Sequence, residues 1–515
     1  MLSKRIVFVL LGLLCAASMV FARPNRDNSA SGGAERPLEI TMYYADNPTL
    51  PFREDWLAVK KVQELYNVHI SWEIIPAAEY SNKVSLALNT GSTPDVILYQ
   101  SITGENASLA LNGAIVPISD YAQWTPNFNA RVQEFGLQAD VDQLKLQDGK
   151  RYNLPSLTDV PFYDAGLLLR EDVLTRYKLP VPKTYEEFYN VLKAYKADNP
   201  TSYPMTVLVA PRVHYRMTQP AWGISLHANG AGGSRVLSWD YERNQFFAGA
   251  ISDQYREYMR YWHRLYAEGL LDPEMEPVGD AWASKLATGR AIATHAYYDQ
   301  IGGVAAASEI AGFKLNMYPA LAGPAGAHHQ QKGRTDAGII FPAATARRSD
   351  FEQVVRAVDS MFFSPEAALI WCVGVEGETY TTQGNTIQYT NAIKNAPDGI
   401  YKYMQLQYGC GSATTQMVWV NAREMTKYDE NYAAINQQVA AMGNVIQPIP
   451  PTPKFDDLTA ERATSLMGPL FDTFVVWDNA FMTGAKSLET DWNAYVTEMR
   501  QRGIEEYLGL YNNNL

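Results

Sequence analysis

The sequence predicts an α/β fold divided between two lobes, and three observations carry that expectation. The chain has 515 residues, which is long for a single hydrophobic core. With 47% apolar and 19% charged residues it has the balance of a globular protein. From Pro37 onward strand-like and helix-like segments alternate, and strands separated by helices pair in parallel through right-handed crossovers.

The first strand is "LEITMYYADN", ending at Ala45-Asp46-Asn47. A helix follows, with Trp56, Val59, Val62 and Leu65-Tyr66 at helical spacing. "VHISWEIIP" is a second strand and "YSNKVSLALNTG" a second helix, with Gly91 just past its end. "DVILY" is a third strand, very short and apolar, and it finishes in Tyr99-Gln100. Thr184-x-x-Glu187 forms a capping box ahead of Phe188, Val191, Leu192 and Tyr195 on one helical face. Ser349-x-x-Glu352 repeats that device before Val354, Val355 and Val358, and Asp456-Asp457 reads as a helix start. Leu488, Trp492, Tyr495, Val496 and Met499 make a last core-facing stripe. "GPAGAHHQQKGR" (323–334) reads as a loop with surface histidines, and "PIPPTP" (448–453) as a stiff extended connector.

The amino terminus reads as an export signal over residues 1–22: Lys4-Arg5, an apolar run from Ile6 to Phe21, then small residues around Ala22. The competing readings are a membrane anchor, for which the run is slightly short, and lipid attachment at Cys15. Leu14 stands directly before Cys15 where lipoprotein signals carry Gly, Ala or Ser. Residues 23–37 are polar and Gly/Ser-rich, a flexible tether. Beyond residue 22 only Cys372 and Cys410 remain, too few for a four-cysteine zinc site. They read as two buried thiols, with pairing in an oxidising compartment as the alternative.

Net charge is −12 and no Lys/Arg cluster stands out, which argues against nucleic-acid binding. The chain has no HExxH, GxSxG, Walker A loop or GxGxxG after a strand. Glu376 and Glu378 could form a carboxylate pair of the kind glycoside hydrolysis uses, but a lone E-x-E is common by chance. The aromatic share is high, with 32 Tyr and 11 Trp. Such side chains join a flat apolar face to a polar tip and suit wet binding surfaces as well as cores.

Eight segments, in order along the chain, resemble the extracellular solute-binding proteins of ABC importers, in particular sugar-binding family 1 and its large lipoprotein-like branch. They are "LNTGSTPDVI", "NGAIVPISDYA", "DGKRYNLP", "LLLREDVLTRYKLPVPKTYEEFYNVLKAYK", "AEGLLDPE", "LATGRAIAT", "GVEGETYTT" and "FMTGAKSLETDWNAYVTEMRQRGIEEYLGLYN". The resemblance implies two α/β lobes, a periplasmic-binding-protein fold whose ligand is clamped between them by hinge closure. It assigns 38–153 plus 324–366 to the first lobe and 154–318 plus 371–515 to the second, with hinges near Pro319 and 367–370. It also implies a monomer, no catalysis, no cofactor, and membrane permease subunits as partners. Members of the branch often carry a calcium loop after the "TYEEFYNVLKAYK" helix. Here "ADNPTSYP" (197–204) offers only Asp198 and Asn199, so no metal is expected.

In open α/β sheets ligands bind beyond the carboxyl ends of the strands. That rule points to Asn47 after the first strand and to Tyr99 and Gln100 after the third; the family pattern also places Tyr99 in the cleft. Arg212 and Trp222 follow a strand-like run (Thr206 to Ala210), and Tyr297-Tyr298 end another strand where the family carries a stacking ring. Trp282, Glu376 and Trp419 are further candidates. Aromatic rings with interspersed amides and charges suit a sugar, which presents an apolar C–H face and a belt of hydroxyls. The expected function is capture of a carbohydrate, an oligosaccharide, for import. A secreted carbohydrate-active enzyme using Glu376 or Asp46 is the alternative.

Overall fold

A computed structural model describes residues 36–48, 50–159, 163–207, 215–226, 235–274, 281–298, 300–330, 333–383, 386–396, 399–419, 430–443 and 445–515. The strands that position the site are β1 (Leu38–Asp46), β2 (Val68–Pro76), β3 (Val96–Gln100), β4 (Leu154–Thr158), β5 (Ala165–Arg170), β6 (Ala293–Tyr297), β7 (Leu315–Tyr318), β8 (Thr335–Ile340) and β9 (Val418–Trp419). They form one six-stranded sheet, in the order β9-β4-β8-β3-β1-β2, and one three-stranded sheet, β6-β5-β7.

The expected alternation is present at the start of the first sheet. Strands β1, β2 and β3 pair in parallel around helices Leu57–Tyr66 and Ala77–Thr90. Gly91 ends the second helix at φ 74°, a left-handed turn that glycine makes without steric cost. Strand β8 then enters antiparallel between β3 and β4. The second sheet is antiparallel throughout, β5 pairing with both β6 and β7.

The hydrophobic cores follow the sheets. Val96, Leu98, Leu154, Leu157, Ile339 and Phe341 are buried together on one face of the first sheet. Tyr43, Ile97 and Ile340 are buried on its other face against Tyr80 and Val84. Around the second sheet, Leu167 and Leu169 pack with Phe188, Trp262 and the carboxyl-terminal helices, and Leu168 packs with Trp282 and Leu286. The sequence analysis placed residues from 371 onward in the second lobe. Packing divides that stretch: Trp371, Cys372, Val373, Tyr389, Met404 and Val418 are buried against the first sheet, and the later helices join the second.

Local signals can be checked one by one. Thr184 caps the helix Tyr185–Asp198 by accepting the Glu187 amide at 3.1 Å. Asp456 caps Asp457–Thr483 through the Thr459 amide at 2.8 Å. The second capping box does not form. Helix Phe351–Phe363 starts one residue later than Ser349 requires, with Asp350 at the cap position and its carboxylate held by Arg348 at 2.8 Å. The 323–334 stretch contains short strands, and His329 is buried against the Tyr163 ring instead of lying at the surface. Cys372 and Cys410 are both buried and are not joined in a disulfide.

Candidate functional site

Strands β3, β4 and β9 run in the same direction, so their carboxyl ends share one edge of the first sheet with the beginning of β8. The carboxyl end of β6 and the start of β5 lie together at an edge of the second sheet, where Tyr297 pairs with Ala165 and the Tyr298 amide donates to the Asp164 carbonyl at 2.8 Å. A cleft of about 300 Å³ is lined from both edges. Tyr99, Ser156, Thr158, Asp336 and Trp419 come from the first sheet, and Asp164, Tyr297 and Tyr298 from the second. Two helices add Tyr401 and Tyr432.

The rings are held in different ways. Tyr298 packs on Tyr432 with centroids 4.6 Å apart, and both are buried. Tyr99 and Tyr297 instead stand 44% and 36% exposed, large aromatic surfaces that the fold leaves uncovered at the cleft. Burial, together with the nearby Asp336 carboxylate, pushes the Tyr99 phenol above its ordinary value. It is therefore a neutral hydrogen-bond donor at physiological pH.

Of the residues singled out in the sequence, Tyr99, Tyr297, Tyr298 and Trp419 line this cleft. Gln100 does not reach it. Its side chain is 6% exposed, donating to the Tyr99 carbonyl at 2.9 Å and accepting from Asn106 at 3.1 Å. Asn47 is exposed in a turn that bridges to Leu50, and the end of β1 is covered by the segment around Ser412, whose hydroxyl meets the Tyr44 phenol at 2.8 Å. Thr414 donates to the Ala45 carbonyl at 3.0 Å beside it, closing that strand end to a ligand.

Trp222 lies in the second core among Tyr185, Tyr258 and Tyr261, because the short turn Gln219–Trp222 ends at Gly223 with its ring facing inward. Trp282 is 2% exposed and packs with Leu286. Glu376 is exposed on a turn outside the cleft lining, and Asp46 accepts the Phe52 amide at 2.8 Å. Arg212 lies outside the described residues.

Sequence reasoning missed Asp164, Asp336, Tyr401 and Tyr432. Asp336 was within reach, since it begins the strand "TDAGII" that enters the first sheet. The two helical tyrosines carried no signal separating them from core aromatics. Among the described residues no group of three or more His, Cys, Asp or Glu could hold a metal ion, and no helix is long and apolar enough to cross a membrane.

Comparison with known proteins places this architecture. The family model for bacterial extracellular solute-binding proteins matches residues 58–349, more than half of the chain. The chain belongs to this family. One curated relative of this solute-binding protein is the polygalacturonan/rhamnogalacturonan-binding protein YtcQ of Bacillus subtilis (strain 168), 28% identical over 144 residues. That stretch spans only 28% of this chain and 27% of YtcQ. Lipoprotein LipO of the same organism is 22% identical over 412 residues, 76% of this chain and 77% of LipO. Among solved structures, the alginate-binding protein AlgQ2, determined without calcium ion, superimposes with a TM-score of 0.75 at 18% identity, covering 93% of this chain and 98% of AlgQ2. At that identity the likeness establishes the shared two-lobed solute-binding fold.

Proposed function

We propose that this solute-binding protein captures an oligosaccharide in the ring-lined cleft by closing its two halves on it. It delivers the ligand unchanged to the permease of an ABC importer, working as an exported monomer. The observation that carries this reading is the convergence of six aromatic side chains, Tyr99, Tyr297, Tyr298, Tyr401, Trp419 and Tyr432, on one cleft between two sheet edges. A pyranose or furanose ring offers them apolar C–H faces, while Ser156, Thr158, Asp164 and Asp336 supply polar groups for its hydroxyls. Closure is favoured because a ligand touching both halves binds the closed form more tightly than the open one.

The charge of the lining bears on the kind of sugar. YtcQ and AlgQ2 are described as binding polygalacturonan/rhamnogalacturonan and alginate, glycans that carry carboxylates. Among the described residues the lining here contains two aspartates and neither Lys nor Arg, which favours a neutral glycan over a polyuronate.

The test is a thermal-shift screen of the chain from about residue 23 against neutral and acidic oligosaccharides and peptides, with product analysis after overnight incubation. A ligand at a hundred times its Kd stabilises the fold by about 2.7 kcal/mol, a shift of several degrees or less but readily measured. A neutral oligosaccharide that raises Tm and is recovered intact supports the proposal. Recovery of cleaved product replaces it with an enzyme, and a response confined to peptides or polyuronates removes the neutral-sugar reading.

A further inference from the structure

A second, larger cavity of about 860 Å³ adjoins the ring-lined cleft, and Gly333 lines both. One wall comes from the first half, including Thr103, Gln143 and Leu144. The other is the proline-rich connector, with Ile449, Thr452 and Lys454 among its residues. That connector is anchored at both ends: the Tyr241 hydroxyl donates to the Pro448 carbonyl at 2.6 Å, and the Lys454 amide to the Asn514 carbonyl at 2.8 Å. Proline fixes its backbone further, so the wall is rigid.

Gly333 stands at the join. A Cβ built there would come within 2.8 Å of the Thr335 carbonyl oxygen and 3.3 Å of the Ile449 side chain. A side chain therefore does not fit at the position the two cavities share. The wall mixes apolar groups with amides and hydroxyls, and carries a single aromatic ring, Phe455, where the cleft has six. Its cations are already engaged: Lys145 pairs with Asp142 at 2.6 Å, and Arg334 donates to the backbone carbonyls of Phe135, Thr158 and Asp159. Lys454 is an exception, exposed at the rim.

We infer that the bound glycan runs from the aromatic cleft past Gly333 into this second cavity, so that the protein selects an extended oligosaccharide over a mono- or disaccharide. The inference rests on the carbohydrate reading above and adds chain length to it. The rings grip one end of the chain, and the connector and the 140–149 segment enclose the units that follow. Each further enclosed unit adds contact area at little extra cost in overall translational freedom, since the first unit has already given it up.

The experiment is calorimetric titration with manno-, xylo- and fructo-oligosaccharide ladders from two to six units, on the wild-type chain and on Gln143→Trp and Thr452→Trp. These residues are exposed, face the second cavity from opposite walls and lie outside the aromatic cleft. For the ladder that binds, the inference expects Kd to fall at least tenfold between two and five units. Either tryptophan should erase most of that gain while leaving the disaccharide unchanged. Thermal melting of both variants checks their folding, and the wild-type ladder stands without them. A Kd independent of length, or variants that weaken the disaccharide as much as the longer chains, overturns the inference and leaves carbohydrate capture standing. Failure of every glycan at every length overturns both.

Discussion

Gly338 lies directly across the sheet from Gln100. Two residues further along β8, Ile340 faces Ile97, so β3 carries one residue more than its partner between the same two pairs. The extra residue makes a bulge, and Tyr99 takes a φ of +55° within it. Bulges bend a strand and re-aim a side chain. Here Tyr99 is turned to the cleft while Gln100 is left buried beneath the strand end.

A left-handed backbone costs a non-glycine residue roughly 1–2 kcal/mol. Tyr99→Gly should therefore be more stable than Tyr99→Ala by about 1 kcal/mol, although both lose the same ring. Urea denaturation of the two variants checks this. Both should lose affinity equally, because the missing contact is the same.

Gly338 itself tolerates no side chain. A Cβ there would sit 1.9 Å from the Leu154 carbonyl oxygen and 2.5 Å from the Pro155 Cα, inside the pairing of β8 with β4. Gly338→Ala should destabilise the fold by about 3 kcal/mol or more, because backbone on both sides must move. A drop of many degrees in Tm, or loss of soluble protein, is the expected reading.

The exposed cleft rings should be separable from the fold. Tyr297→Ala removes a ring that is 36% exposed, so Tm should change little in the absence of ligand. Affinity for the captured oligosaccharide should fall about tenfold, corresponding to about 1.4 kcal/mol. Trp419→Ala should weaken binding similarly, while Trp222→Ala should lower Tm sharply through the cavity it leaves among Tyr185, Tyr258 and Tyr261. Titration and melting of the three variants distinguish the two kinds of residue.

The alternation of the first three strands and two helices was legible because periodicity marks each of them and Gly91 stops the second helix. Which of two adjacent residues faces a ligand was not. The pattern "VILYQ" gives a strand end, but only the bulge opposite Gly338 decides that Tyr99 points to the cleft and Gln100 does not. Trp222 and Trp282 illustrate the same gap, since an aromatic near a strand end reads alike whether it stacks on a ligand or on Tyr185. The capping box at Thr184 formed and that at Ser349 did not, because Arg348 holds Asp350 and the helix begins there. Asp164 and Asp336 meet at the cleft across about 170 residues of chain, a pairing that no local pattern encodes.

One ion pair gives the fold a defined acid sensitivity. Asp172 is partly buried, which by itself raises its pKa, but hydrogen bonds from Arg170 and the Lys314 amide outweigh burial and hold it below the ordinary 3.8. The folded state therefore binds this proton less readily than the unfolded chain. Its stabilisation is complete above the ordinary carboxylate value and is lost as pH falls through the lower folded value. Asp172→Asn should cost about 1–2 kcal/mol at neutral pH, and the gap from wild type should narrow below about pH 4. Urea melts between pH 3 and 7 measure both.

The central claim is that the rings converging from the two sheet edges hold a sugar. The most direct test is a crystal structure of the protein with the oligosaccharide that gives the largest thermal shift. The account predicts a sugar ring lying face-on against Tyr297, Tyr99 or Trp419, with its hydroxyls on Asp164 or Asp336. An oligosaccharide bound elsewhere while this cleft stays open would contradict it.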